Sequence, residues 1–180
     1  MSGRGSAQAE RVARVLDPEF VDGLGGLSVE ELRARRDEAR DEREYRSFLR
    51  RLVQVRQDLV DSERARRAAG TEPGPLLERL TTALSVGPAG PSRGEAVRVH
   101  LPAEDLAEAE VHVTAVVGSA DLSALEHMDD GELERLRAVL ATEEERVSAD
   151  RSAVIRVHDL LQEELKRRYR RDPSLIPQGV

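Results

Sequence analysis

Four polar side chains recur at helical spacing between positions 47 and 58. Ser47, Arg50, Gln54 and Asp58 follow one another at intervals of three, four and four residues. A helix turns by about 100° per residue, so all four fall within an arc of roughly 80° on one side. A guanidinium can donate two parallel hydrogen bonds to guanine or to a phosphate, and a carboxylate can accept from the guanine N1–H and amino groups. The stripe therefore has the chemistry of a guanine nucleotide site.

A second stripe of the same residue types follows 101 positions later, at Ser148, Arg151 and Asp159. This repeat indicates an internal duplication of two helical arms. Packed antiparallel, with Ser47 level with Asp159, the arms predict a polar groove with pseudo-twofold symmetry. Such a groove suits a twofold-symmetric guanine nucleotide. The residues expected around the shared pocket are Arg50, Asp58, Arg151 and Asp159.

A solvated helix face is the alternative interpretation of each stripe. Amphipathic helices expose one polar side, and Arg, Gln and Asp are common there. A single helix would favour this interpretation. The recurrence of the same residue types on two arms that can meet favours a ligand site.

The arms themselves are predicted as two long helices, at residues 28–69 and 129–171. Ser28 and Glu31 have the spacing of a capping box, and Gly70 is a C-terminal signal. Neither stretch contains Pro, and Gly131 is the one glycine, near the start of the second. The predicted fold class is all-α, a long antiparallel two-helix coiled coil with a short N-terminal helix and a flexible connector.

The remaining segments are shorter or rich in Gly and Pro. Residues 1–27 are predicted as a disordered start followed by a short helix from Ala7 to Leu16. Residues 70–128 form the connector, in which LLERLTTAL could be a short helix and AVRVHL with EVHVTAVV could form a small hairpin. Residues 172–180 are predicted as a fraying tail. The arginines of ERARR and KRRYRR lie at helix C-termini, where they complement the macrodipole.

Composition excludes several functional classes. The net charge is -7, which disfavours direct DNA binding, and the chain has no cysteine for a disulfide or a thiolate metal site. No secretory signal or membrane-spanning stretch is evident, so a cytoplasmic location is expected. The four histidines lack metal-ligand spacing, and no P-loop, GxSxG or HExxH pattern occurs. We therefore expect a binding protein and not an enzyme.

The spacing Glu-x3-Ser-x2-Arg-x3-Gln-x3-Asp, hereafter the signature, resembles that of the RsiG-type anti-sigma factors of spore-forming, filamentous actinobacteria. The resemblance implies a coiled coil that binds a dimer of cyclic di-GMP, two molecules, between its arms. It also implies that the loaded protein sequesters a sporulation sigma factor of the WhiG or flagellar type and represses its transcription. The acidic charge suits the basic surface of a sigma factor.

Each arm departs from the signature at one position. Arg43 stands where the first arm should have Glu, and Ile155 stands where the second should have Gln. Arg43 cannot accept from a base edge, but it could contact a phosphate. The ligand-binding residues that the resemblance implies are Ser47, Arg50, Gln54, Asp58, Glu144, Ser148, Arg151 and Asp159.

Two other functions remain open. A structural coiled-coil adaptor or oligomer would need no small ligand, and its function would depend on the apolar faces. A helical nucleic-acid-binding protein is a weaker alternative, which the negative net charge disfavours.

Overall fold

The computed structural model describes residues 4–70, 101–118 and 122–176, and every regular element in these ranges is helical. The α-helices are α1 (Arg4–Leu16), α2 (Val29–Ala68), α3 (Ala103–Val117) and α4 (Asp130–Arg171). Short 3-10 turns lie at Pro18–Phe20, Leu24–Gly26, Leu122–His127 and Pro173–Leu175. The two long helices α2 and α4 pack against each other, which confirms the all-α class and the two-helix pair.

Both long helices begin with a capping box. The Glu31 amide donates to Ser28 Oγ over 3.1 Å, and the Ser28 amide donates to the Glu31 carboxylate over 2.7 Å. Asp129 and Glu132 exchange the equivalent bonds, both at 2.7 Å. The internal repeat therefore includes the helix starts as well as the polar stripe. At the other end of α2, Gly70 has φ +63°, a left-handed conformation that Gly adopts without a Cβ clash.

Each long helix has a buried stripe with the alternating spacing of three and four residues that defines a heptad. On α2 this stripe comprises Leu32, Ala39, Glu42, Arg46, Leu49, Val53, Val60 and Glu63. On α4 it comprises Leu133, Leu136, Leu140, Glu143, Val147, Val154, Leu161 and Leu165. Four of these positions carry charged side chains, so the buried stripe is not a purely apolar seam.

The chain divides into two compact units, and the first consists of residues Met1–Ser47 and Ser148–Val180. Here α1, the first part of α2 and the second part of α4 surround an apolar core. The core residues are Val15, Phe20, Val29, Leu32, Ala39, Val154, Leu161 and Leu165. Arginines attach the turns to the helices. Arg168 donates to the carbonyls of Leu24 at 2.7 Å, Gly25 at 3.2 Å and Leu27.

The second unit comprises residues Phe48–Val147, with the second part of α2, α3 and the first part of α4. Ala109 and Val113 of α3 are fully buried. Polar contacts hold α3 to both long helices. Arg56 of α2 forms an ion pair with Glu110, and Glu143 of α4 lies at hydrogen-bonding distance from His112 Nε2, each over 2.7 Å. The second unit is therefore a three-helix arrangement and not a bare pair.

Several predicted elements need correction. The segment EVHVTAVV is the end of α3 and not a strand. The stretch AEDLAEA before it favours a helix, and the buried Asp105, Ala109 and Val113 recur every four residues. Helix α1 begins at Arg4, so residues 4–6 are helical and not disordered. The rest of the connector, including LLERLTTAL and residues 96–100, lies outside the described residues.

The C-terminal segment also differs from the prediction. Its residues up to Leu175 are held against the first unit, since Asp172 caps a 3-10 turn and Arg33 donates to the Leu175 carbonyl. Among the helices of the described ranges, none has the length and apolar character that crossing a bilayer requires.

Candidate functional site

In the second unit, three residues of the signature meet across α2 and α4. Arg50 Nε donates to Glu144 Oε1 over 2.7 Å, and Gln54 Nε2 donates to the same oxygen over 3.3 Å. Arg50 and Gln54 belong to the first arm, and Glu144 belongs to the second. The bond to Nε fixes the plane of the Arg50 guanidinium, so this cluster is a preorganised polar surface made by both arms.

Asp58 lies one turn beyond Gln54 on the same stripe and is exposed. No described residue forms an ion pair or hydrogen bond with its carboxylate. Its pKa is raised above the ordinary value, because neighbouring side chains partly desolvate it and Asp61 places a second negative charge nearby. Asp61 itself pairs with Arg137 over 2.8 Å. Within the part of the chain that the structure describes, Asp58 is thus a carboxylate without a cationic partner, as a group that accepts from a ligand would be.

In the first unit, Ser47 and Arg151 form a second contact between the arms. Arg151 Nε donates to Ser47 Oγ over 2.9 Å, and Ser47 Oγ donates to the Arg43 carbonyl over 2.7 Å. All three side chains are half-buried. Ser148 is half-buried on α4, and its carbonyl accepts from Ser152 Oγ over 2.8 Å.

The register that was predicted from the stripes is wrong. Ser47 is level with Arg151 and not with Asp159, which lies eight residues, about 12 Å, further along α4. Asp159 is exposed, and His158 Nδ1 lies 3.2 Å from its carboxylate. The register follows the buried stripe, where Arg46 of α2 faces Asp150 of α4 at 3.6 Å. Burying apolar and ionic groups outweighs any alignment of two exposed polar faces.

The two departures from the signature fall at equivalent positions of one cluster. Under the internal repeat, Arg50, Gln54 and Glu144 correspond to Arg151, Ile155 and Arg43. The cluster of the second unit therefore has its Glu and its Gln, whereas the equivalent cluster of the first unit has lost both. Arg151 instead donates to Ser47. Both departures from the signature therefore fall at the positions that the repeat relates to Glu144 and Gln54.

A buried ionic cluster in the first unit was missed by sequence reasoning. Arg46 is 3% exposed and Glu42 is 1% exposed, and Arg46 Nε donates to Glu42 Oε1 over 2.7 Å. Arg46 also donates to the Gln8 carbonyl of α1 over 3.3 Å, and Arg11 approaches Glu42 at 3.4 Å. The heptad spacing of α2 could have revealed both residues, since positions 42 and 46 fit its buried stripe.

A second missed cluster attaches α3 beside the signature residue Glu144. Glu143 accepts from Arg146 at 2.6 Å and lies 2.7 Å from His112 Nε2. Burial of Glu143 raises its pKa, but the hydrogen bonds from Arg146 and His112 outweigh burial, so the pKa lies below its ordinary value. Glu143 is therefore ionised near neutral pH and anchors α3.

Two large apolar side chains of α4 are exposed. Val139 and Leu160 are 45% and 54% exposed. Each immediately precedes a buried heptad position. The basic clusters also make specific contacts, since Arg67 pairs with Glu63 and Asp130 over 2.8 Å each, and Arg168 holds the turn at Leu24–Gly26.

A comparison with models of protein families gives a match. Residues 18–84 match the family model described as RsiG-like, and this segment contains all of α2 and hence the whole first arm. The match confirms the resemblance to the RsiG-type anti-sigma factors and supports an anti-sigma factor role with a sigma factor as partner. No curated protein matches the chain.

Proposed function

On the premise that the chain is RsiG-like over residues 18–84, we propose that it is an anti-sigma factor controlled by cyclic di-GMP. It binds a dimer of the nucleotide on its two arms and sequesters a WhiG-type sporulation sigma factor. In this proposal the protein is a binding protein without catalytic activity. The observation that carries the proposal is the contact between Arg50 and Glu144, in which signature residues of both arms meet.

The chemistry of each unit supports a guanine nucleotide. In the second unit, Arg50 presents a guanidinium of fixed orientation, and Asp58 on the same stripe is a carboxylate with no cationic partner among the described residues. An arginine matches guanine O6 and N7, and a carboxylate matches guanine N1–H and the amino group. In the first unit, Arg151 and Asp159 repeat this pair of residue types.

Control by the nucleotide follows from linkage. Residues of α2 and α4 contact each other at the stripe, so a ligand that contacts both arms stabilises the paired arrangement over any opened one. A ligand shifts such an equilibrium only by its differential affinity for the two states. If the sigma factor binds the paired form better, then nucleotide and sigma factor must strengthen each other's binding by the same factor.

Charge supports the choice of protein partner. The chain has a net charge of -7, and sigma factor domains that bind promoter DNA present basic surfaces. Complementary charge accelerates encounter and favours such a partner over other proteins.

The direct test is calorimetric titration of cyclic di-GMP into the full chain, alone and with a WhiG-type sigma factor. We expect two nucleotides per chain in at least one of the two conditions. The variant Arg50→Ala/Arg151→Ala should lose binding while its circular dichroism stays helical. The matched control Arg51→Ala/Arg156→Ala removes the same charge from exposed positions of the same helices and should retain binding.

Two results would contradict the proposal. If cyclic di-GMP does not bind in either condition, it is excluded as the ligand. An equal loss of nucleotide affinity in the signature variant and in its control would show that the nucleotide binds through nonspecific electrostatic attraction. If the chain binds neither the nucleotide nor the sigma factor, and alanine is tolerated along the stripe, the structural coiled-coil adaptor or oligomer is favoured.

A further inference from the structure

The internal repeat extends beyond the long helices to the short helices that pack on them. In the first unit, Arg11 of α1 approaches Glu42 of α2 at 3.4 Å. In the second unit, the residues 101 positions later are His112 of α3 and Glu143 of α4, whose side chains lie 2.7 Å apart. Helices α1 and α3 are therefore equivalent elements, each packed on the long helix that follows it.

The turns between these helices repeat as well. Arg168 donates to the Leu24 carbonyl over 2.7 Å, and Arg67 donates to the Leu125 carbonyl over 3.0 Å, so arginine and carbonyl are each displaced by 101 positions. The two units thus share one architecture of a short helix, a turn held by an arginine and a long helix. Surface residues that differ between equivalent positions are not required by this architecture, since the other unit is built without them.

The second unit has exposed apolar side chains where the first has an ion pair. Arg14 of α1 pairs with Glu38 of α2 over 2.8 Å, and the equivalent residues are Ala115 of α3 and Val139 of α4. Both are exposed, and so is Val111, which lies one helical turn before Ala115 and is 66% exposed. Because the side chains of the equivalent ion pair reach each other, the three apolar residues belong to one surface, hereafter the valine patch.

Helix α3 carries negative charge beside this patch. Its sequence has neither lysine nor arginine, and its four acidic residues are Glu104, Asp105, Glu108 and Glu110. By contrast, the equivalent helix α1 has three arginines and one glutamate. An exposed apolar centre with a charged rim is the arrangement of a protein–protein interface. The second unit therefore has an interface-like surface that the architecture itself does not need.

The sign of the charge selects the kind of partner. Carboxylates repel a nucleic-acid backbone, and they attract a protein surface that is rich in lysine and arginine. Sigma factor domains that bind promoter DNA present such a basic surface. We propose that the valine patch and the carboxylates of α3 form a docking surface for a basic domain of the sigma factor.

This inference rests on the proposed function for the identity of the partner. The surface itself is separate from the signature, because neither α3 nor Val139 belongs to the polar stripes. Helix α3 also lies outside residues 18–84, the segment that matches the family model. Substitutions in the valine patch therefore weaken the sigma factor complex directly and not through the nucleotide.

The test compares Val139→Lys with Leu160→Lys by titration with a WhiG-type sigma factor at saturating cyclic di-GMP. Both residues are exposed on α4, and Leu160 belongs to the first unit, so the control introduces the same charge away from the patch. A lysine in the patch removes apolar contact and repels a basic partner, so Val139→Lys and Val111→Lys should each weaken binding about 10-fold or more. Leu160→Lys should retain the wild-type affinity, and circular dichroism checks that every variant stays helical.

A kinetic measurement tests the acidic rim separately. Glu104→Gln/Glu108→Gln should slow association with the sigma factor about 3- to 10-fold at low salt, because charge steers the encounter. High salt should remove this difference. The control Glu10→Gln/Glu19→Gln removes the same charge from exposed positions of the first unit and should associate at the wild-type rate.

The outcomes separate this inference from the proposed function. Wild-type affinity in both valine variants, or an equal loss of affinity in Leu160→Lys, would overturn the docking surface and leave the proposed function intact. A wild-type chain that binds no sigma factor would refute both. Light scattering of the chain alone tests a second copy as the occupant, since a dimer that Val139→Lys dissociates would assign the patch to self-association and overturn the inference.

Discussion

Arg50 Nε donates to Glu144 Oε1 over 2.7 Å, so the arginine of one arm is bound by the glutamate of the other. The Glu of the signature thus has a structural task besides any contact with a ligand, because it orients the Arg of the opposite arm. The same relationship is absent between Arg151 and position 43, which carries Arg. Four predictions follow from these and the other charged contacts.

Restoring the signature at positions 43 and 155 should rebuild the missing cluster. In Arg43→Glu, we expect Arg151 to move from Ser47 Oγ to the new carboxylate, and Ile155→Gln should then add a second donor. The coupling between the two substitutions should be about 0.5–1 kcal/mol, as for partly exposed polar contacts. Urea unfolding of the single and double variants measures this coupling. Strictly additive effects would show that positions 43 and 155 do not share a cluster.

Arg46→Met should destabilise the first unit. The substitution leaves Glu42, which is 1% exposed, without its closest cation and removes the bond to the Gln8 carbonyl. Breaking a buried pair costs about 3–5 kcal/mol, and we expect about 2–4 kcal/mol because Arg11 remains near Glu42. Thermal and urea unfolding give this value. The control Arg40→Met, at an exposed position with only surface ion pairs, should change stability by less than about 1 kcal/mol.

Arg168→Ala should loosen the chain between α1 and α2. The guanidinium of Arg168 satisfies the carbonyls of Leu24, Gly25 and Leu27, and the variant leaves them to water. Hydrogen exchange of the amides in residues 24–28 should become faster, while exchange in the middle of α2 stays unchanged. Arg167→Ala is the control, since among the described residues Arg167 bonds to Glu164 and not to the turn. Equal exchange in both variants would rule out this role for Arg168.

The attachment of α3 should weaken in acid through Glu143. Because the pKa of Glu143 in the folded protein lies below the ordinary 4.5, its contribution to stability is fully present above that value. The contribution is lost as pH falls through the folded-state pKa. Unfolding by urea between pH 7 and pH 3 should show a smaller drop in stability for Glu143→Gln than for the wild type. If stability falls identically with pH in the two proteins, the Glu143 carboxylate is excluded as the source of the acid sensitivity.

Local features of the fold were predicted correctly from the sequence. The Ser28–Glu31 capping box forms as predicted, and the stop at Gly70 uses a positive φ. Such features depend on groups within about one helical turn, so spacing alone reveals them. The strand prediction for EVHVTAVV failed because alternating valines also fit a helix that buries Ala109 and Val113. Burial against the long helices decided that segment, and sequence periodicity cannot supply that information.

Sequence by itself determined the residue types and helical spacing of the two polar stripes, their repeat 101 positions apart and the family match over residues 18–84. Only the tertiary structure decided that Ser47 faces Arg151, that Glu144 binds Arg50 and that Arg46 is buried. The reason is physical. Stripes and caps are set by groups close along the chain, whereas the register of two helices is set by how buried side chains from distant segments pack together.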